Sequence, residues 1–388
     1  MDYLVFGVAI VAVMLGIALF SRVPYYSPLV ISGVVWLMVL LTGMAVHQAF
    51  YPITAGAFTL WLLWFGITAL FYLAFSVMRP APVHSETPVV RKLPLDYSLI
   101  ILGLIAWLAW RTWELGTTGP QHFFLNLRLS SIGLEGFERL GMLERVYPVV
   151  FALFLFEIVH SRKENRHLRF LLWLWMLLYA VSNMGKFALL TPIVAWLVIK
   201  GLQGRMTWRL PALVALVTLP LMGVLHLVRA GADYQHTLAD DFGVYTYSPL
   251  VALGHLDQAP PATLGAYTFR FFYAVMHRLF GASAPEPVIL PYVDVPFATN
   301  VYTVMQPFYY DFGYAGVVIA AVFFGLVFGW LFYLARSKRP LPVMLYAGFA
   351  IVLVGQIIGD LFITTLSGNL QFLIAASAIV LLSKRKPT

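Results

Sequence analysis

Apolar runs of about twenty residues recur along almost the whole chain, and nothing else constrains its fold as tightly. A helix crossing ~30 Å of hydrocarbon at ~1.5 Å per residue needs about 20 mostly apolar residues. Runs of that kind lie near 2–20, 29–50, 53–78, 96–115, 146–160, 210–228, 309–335, 341–360 and 366–383. Of the 388 residues 61% are hydrophobic and only 11% charged, which leaves too little polar surface to cover a water-soluble globule. The net charge of +8 is dealt out between the apolar runs rather than gathered into a patch, so no nucleic-acid partner is expected. With no cysteine, structural disulfides, thiol catalysis and zinc-thiolate sites are excluded. Only Asp2 precedes the first run and no small-residue cleavage site follows it, so it reads as a span and not as a leader. The expectation is an all-α polytopic membrane protein, one integral domain over 1–388 with no soluble module.

Orientation follows from Lys and Arg in short loops, which stay on the cytoplasmic side. Six clusters hold most of the 25 basic residues: Arg22; Arg79, Arg91 and Lys92; Arg162, Lys163, Arg166 and Arg169; Lys200, Arg205 and Arg209; Arg336, Lys338 and Arg339; and Lys384, Arg385 and Lys386. They share one side only if the apolar stretch 168–200 is a hairpin, broken at Ser182-Asn183-Met184-Gly185-Lys186. That gives about eleven spans, with the N-terminus outside and the C-terminus in the cytoplasm. Each arm of the hairpin then has about 15 residues, or roughly 22 Å of helix, which places Asn183 and Lys186 below the outer surface. Two outer loops, about 116–145 and 229–308, are too long to be connectors, and their aromatic content predicts ordered segments with short amphipathic helices.

Arg111, Arg128, Arg139, Arg145, Lys186, Arg229, Arg270 and Arg278 remain on the outer side, against the usual bias. Arg128 and Arg139 lie near Glu135 and Glu138 and read equally well as loop charges. Within 262–282, Arg270, Ala274, His277 and Arg278 share one helical face, and Phe269, Phe271, Phe272, Tyr273, Val275, Met276, Leu279 and Phe280 fill much of the rest. The pattern predicts an interfacial helix with a cationic stripe, whose arginines either bind phosphate or snorkel to headgroups. Among the outer acids, Asp311 stands in Tyr309-Tyr310-Asp311-Phe312-Gly313 at the entrance of a span, where desolvation would favour a general base. Asp360, at the outer end of its span, is a second candidate for that part; the alternative for either acid is to cap a helix N-terminus or orient an arginine, and for Asp360 that reading comes first. His226, His255 and His277 have no ligand spacing, so no metal site is expected, and no glycine-rich phosphate loop, nucleophile elbow or redox-cofactor motif occurs. Tyr234, Tyr245, Tyr247, Tyr267 and Tyr273 are candidate sugar-stacking platforms.

Several pieces of the second half, in order, resemble the O-antigen polymerase (Wzy-type, oligosaccharide repeat-unit polymerase) family. They are Ser182-Asn183-Met184-Gly185-Lys186, Arg229-Ala230-Gly231, Tyr247-Ser248-Pro249-Leu250, Phe269-Arg270-Phe271-Phe272, Thr299-Asn300-Val301-Tyr302-Thr303, Tyr310-Asp311-Phe312-Gly313-Tyr314-Ala315-Gly316 and Leu366-Ser367-Gly368-Asn369. Together they cover about 182–372, and residues 1–180 are similar only in hydropathy. The resemblance implies a GT-C-like fold in the bacterial inner membrane, with the large loop roofing a periplasmic cavity. It implies undecaprenyl-diphosphate-linked oligosaccharides as donor and acceptor, no cofactor, and a chain-length regulator and a flippase as further partners. An O-antigen ligase using the same donor, or a lipid-linked-sugar flippase, is the alternative.

On this reading the departing diphosphate needs fixed cations, which Arg229, Arg270 and Arg278 supply with Lys186 in reserve, and Asp311 deprotonates the acceptor hydroxyl. Lys186, Asn183, His277, Asn300, Tyr302 and Tyr310 fall to substrate binding.

Overall fold

In a computed structural model the apolar runs that fall within the described residues are helices, the one backbone form apart from closed barrels that satisfies every N–H and C=O inside lipid. The structure describes residues 1–79, 91–93, 96–160, 165–207, 209–210, 216, 224, 238–256, 264–287, 290 and 292–385. The protein is an all-α, multi-pass membrane protein. Its helices are α1 (Asp2–Phe20), α2 (Pro28–Val46), α3 (Ala55–Val77), α4 (Ser98–Thr118), α5 (Phe123–Ile132), α6 (Met142–His160), α7 (Arg166–Asn183), α8 (Lys186–Leu202), α9 (Leu238–Thr246), α10 (Ser248–Leu253), α11 (Arg270–Phe280), α12 (Gln306–Ala335), α13 (Pro340–Gly355) and α14 (Leu366–Leu382). The described residues also hold two antiparallel pairs of two-residue strands, β1 (Arg91–Lys92) with β4 (Lys384–Arg385) and β2 (Val293–Asp294) with β3 (Ala298–Thr299). Among the described residues, α1, α2, α3, α4 and α12 are long and apolar enough to cross a membrane, while α13 and α14 are apolar but shorter. The run at 210–228 lies outside the described residues.

The chain divides into two compact units, the first comprising 1–80, 236–333 and 352–367. Here α1, α2 and α3 pack on one another, and α9 and α10 pack on α2 and α3. Ser27, ahead of Pro28, caps α2 through its hydroxyl, which accepts the Val30 N–H at 3.3 Å, and Thr54 caps α3 the same way at Ala57, 3.1 Å away. Gly43 and Gly243 leave room for the rings of Tyr247 and Phe50, which seats the loop helices closely on α2. The core is aromatic: Trp36, Trp61, Trp64, Phe65 and Tyr72 are fully buried.

One amide organises that core. Gln356 Oε1 accepts from the indole N–H groups of Trp36 (3.1 Å) and Trp64 (2.9 Å), and Nε2 donates to Ser32 Oγ and to the Leu353 carbonyl, both at 2.8 Å. The Gln356 carbonyl also takes the Val304 N–H at 2.8 Å. α2, α3, the end of α13 and the turn leading to α12 thus meet on one residue with all its side-chain polar atoms bonded. The expected span 341–360 ends early, at Gly355, because this amide and the Asp360 turn divert the backbone.

The second unit comprises 81–235, 334–351 and 368–388. α4 packs on α5 and α7, and α6 packs on α7 and α8. The hairpin α7–α8 breaks where expected, but its arms have 18 and 17 residues rather than about 15. They reach about 27 and 26 Å, and the added residues lie mostly at the ends away from the break, at 166–167 and 201–202. Met184, not Gly185, takes the left-handed conformation at the break (φ 47°), and its side chain is buried. The loop 116–145 is ordered around Asn126, whose Nδ2 donates to the carbonyls of Gly116, Gly119 and Gln121. Arg111 forms 2.7 Å salt bridges to Glu114 and Glu138 and donates to the Arg139 carbonyl, so it clamps this loop to α4.

Candidate functional site

The span expected from 309 begins at Gln306 and is broken at Gly313, whose φ of 61° and ψ of −149° only glycine adopts at low cost. A Cβ at Gly316 would collide with the Phe308 carbonyl, so the turn before the break folds tightly onto the helix that follows. Asp311 is carried on that separate first turn, held apart from the body of α12.

Its carboxylate reaches the large loop. Asp311 Oδ2 accepts the Thr268 N–H at 2.7 Å and Oδ1 the Tyr267 N–H at 3.3 Å, while Thr268 Oγ1 donates to the Pro307 carbonyl at 3.2 Å. With the two amides taken, and Gly265 turning the chain at φ 73°, the expected helix over 262–282 begins only at Arg270. The Tyr267 ring stands edge-on to that of Tyr310, with centroids 4.8 Å apart, and its hydroxyl donates to the Glu286 carboxylate. Burial, then the charges of Glu286, Tyr310 and Asp311, push the Tyr267 phenol up to about 12. Arg270 Nε donates to the Glu286 carbonyl at 2.6 Å, and its two terminal nitrogens have no partner among the described residues. Burial lowers the guanidinium pKa from its ordinary value. Tyr302 is buried and close enough to Tyr310 for its own phenol to be raised, by burial first and then by that neighbour.

The result is a cluster in the first unit: the carboxylates of Asp311 and Glu286, a half-buried guanidinium whose terminal nitrogens have no partner among the described residues, and three phenols. Of the residues expected from sequence, Asp311, Arg270, Tyr310 and Tyr302 meet there. Asn300 lies nearby in the chain and is half-buried just past β3. His277 and Arg278 do not join the cluster by any hydrogen bond: His277 Nδ1 lies 2.6 Å from the Ala282 carbonyl, and Arg278 is exposed with no partner among the described residues. Lys186 and Asn183 belong to the second unit, where Lys186 opens α8 and Asn183 donates to the Tyr179 carbonyl at 2.9 Å. Arg229, and with it Tyr234 and His226, lies outside the described residues.

Glu286 was not distinguishable by sequence from other loop acids. Tyr267 counted there only as a stacking platform. Asp360 holds a turn rather than capping a helix, its buried carboxylate accepting the N–H groups of Phe362, Ile363 and Thr364 at 2.7–3.1 Å while the next helix, α14, begins only at Leu366. No group of three or more His, Cys, Asp or Glu that could hold a metal occurs among the described residues. Comparison with protein-family models, curated proteins and solved structures finds no match.

Proposed function

We propose that this protein is a glycosyltransferase that polymerises polyprenyl-diphosphate-linked oligosaccharide repeat units at the outer face of the bacterial inner membrane. The single observation carrying this reading is the Arg270 guanidinium, held by Nε and with no partner for either terminal nitrogen among the described residues, in one cluster with Asp311 and Tyr267. A guanidinium in that state offers bidentate donors to phosphate oxygens. The motif resemblance supplies the substrate class, and a GT-C-like arrangement of about eleven spans is the architecture that goes with it.

In the reaction, the bond between the donor's anomeric carbon and the diphosphate breaks, and the acceptor hydroxyl oxygen forms the new glycosidic bond. The hydroxyl proton passes to Asp311, and the polyprenyl diphosphate leaves with the negative charge that Arg270 stabilises. A cation aimed at charge that develops only in the transition state accelerates the step itself.

Purified protein in liposomes, given only lipid-linked repeat units, is expected to lengthen them. Transfer solely to a lipid A-core acceptor would identify a ligase, and movement across the bilayer without a new glycosidic bond a transporter. Arg270→Ala is expected to slow lengthening about ten- to a hundredfold, the worth of one charged hydrogen bond of roughly 1.5–3 kcal/mol, with partial recovery in Arg270→Lys. Normal product length from Arg270→Ala removes this residue from the reaction.

A further inference from the structure

Helix α11 is inside out for a protein surface in water. Its polar groups turn toward its own loop: Arg270 to the Glu286 carbonyl, Tyr273 Oη to the Leu264 carbonyl at 2.7 Å, and His277 to the Ala282 carbonyl. These three residues lie within an arc of about 60° on the helical wheel. Phe272, Val275, Met276 and Leu279 fill another arc of about 100° and are 55%, 36%, 47% and 68% exposed. No residue of the helix is buried. An apolar face of this size, unsupported by a core, needs an occupant.

Two observations identify it as lipid. Phe269, at the head of α11, packs on Phe312 at the entrance of the spanning helix α12 with ring centroids 6.0 Å apart, which fixes α11 at the level where that span begins. α12 carries its own exposed apolar stripe, Ile319, Phe323, Leu326 and Trp330, as a lipid-facing helix does. The charge also fits. The helix has no acidic residue, and Arg278 sits on the border between its two faces, where a long cationic side chain reaches headgroup phosphates.

We infer that α11 is an in-plane membrane anchor, its Phe272–Val275–Met276–Leu279 face immersed in the bilayer surface and Arg278 bound to phospholipid phosphate. The two arginines of this helix therefore divide their work, with Arg270 belonging to the Asp311 cluster and Arg278 to the membrane. The anchor is independent of the transfer reaction, so failure of either leaves the other standing.

The chain has no cysteine, so single nitroxide labels can be placed in the full-length protein without background. Labels at Phe272→Cys, Met276→Cys and Leu279→Cys, in phosphatidylcholine vesicles, are expected to collide with oxygen more than with a water-soluble nickel chelate. Their depth should be about 5–10 Å into the headgroup–acyl boundary. A label at Ala274→Cys, on the polar side, should be shielded from lipid. Water-like accessibility at the three apolar positions overturns the anchor. So does protection from both reagents with spin–spin broadening, which would put a second copy of the chain on this face. Adding phosphatidylglycerol should draw the Met276→Cys label deeper, and Arg278→Gln should abolish that change. If the change is missing, or survives the substitution, Arg278 does not bind lipid phosphate.

Discussion

Asp311 has a structural task whatever its part in the proposed reaction. Its two oxygens hold the Tyr267 and Thr268 amides, so the carboxylate fixes the start of the loop that carries Arg270. Charge-assisted bonds to backbone N–H groups are among the stronger ones, and an amide in its place presents a single oxygen without charge. Asp311→Asn should therefore favour local opening of the 264–269 turn by about 1–2 kcal/mol, or roughly five- to thirtyfold. Hydrogen exchange at the Tyr267 and Thr268 amides reads this directly. Unchanged exchange would mean that the carboxylate does not hold the turn. The prominence of Asp311 was legible in the sequence because an acid among aromatics at a span entrance is conspicuous. Its partners were not, since Tyr267 and Glu286 lie on a loop with no periodicity to show which residues face each other.

At the scale of elements, the apolar runs announced the helices because a membrane's thickness fixes their length. What they hid is where those helices stop and bend. Gly313 and Gly316 stand in a motif that says nothing of their backbone, yet one supplies an angle closed to other residues and the other lets the Phe308 carbonyl approach. Gly316→Ala is expected to lower the melting temperature in detergent and to weaken chain lengthening. Gly103→Ala, in α4 with no atom near a new Cβ, should leave stability unchanged or slightly raised. Equal melting temperatures for the two variants would remove the close-approach argument. Gln356 was hidden for a different reason: a lone amide in an apolar run reveals nothing of the indoles it will meet. Gln356→Leu strands two buried N–H groups at about 1–3 kcal/mol each and should destabilise the first unit severely. A wild-type melting curve for that variant would show that the hub is dispensable.

For the whole molecule, the proposed orientation rests on the basic clusters sharing one side of the membrane. Within the second unit two pairs of these clusters meet. β1 and β4 pair Arg91 with Arg385 and Lys92 with Lys384, and Lys200 lies within electrostatic reach of Arg205 and Arg169. The same end holds the start of α4 against the start of α7, through Ser98 and His167 at 3.3 Å, and Glu157 of α6 accepting from Tyr97 and Asn165. Like charges brought together by the fold cost free energy unless water or anionic headgroups surround them. A cytoplasmic surface supplies both, and positive loops are retained there during insertion. The absence of cysteine again makes the test clean. Single cysteines near 85, 205 and 385 should react with a membrane-impermeant maleimide only after the cells are opened, and those near 120 and 283 before it. Labelling of position 205 in intact cells would place that loop outside. The hairpin α7–α8 would then not return the chain to the side it came from, and the orientation drawn from the charges would be lost.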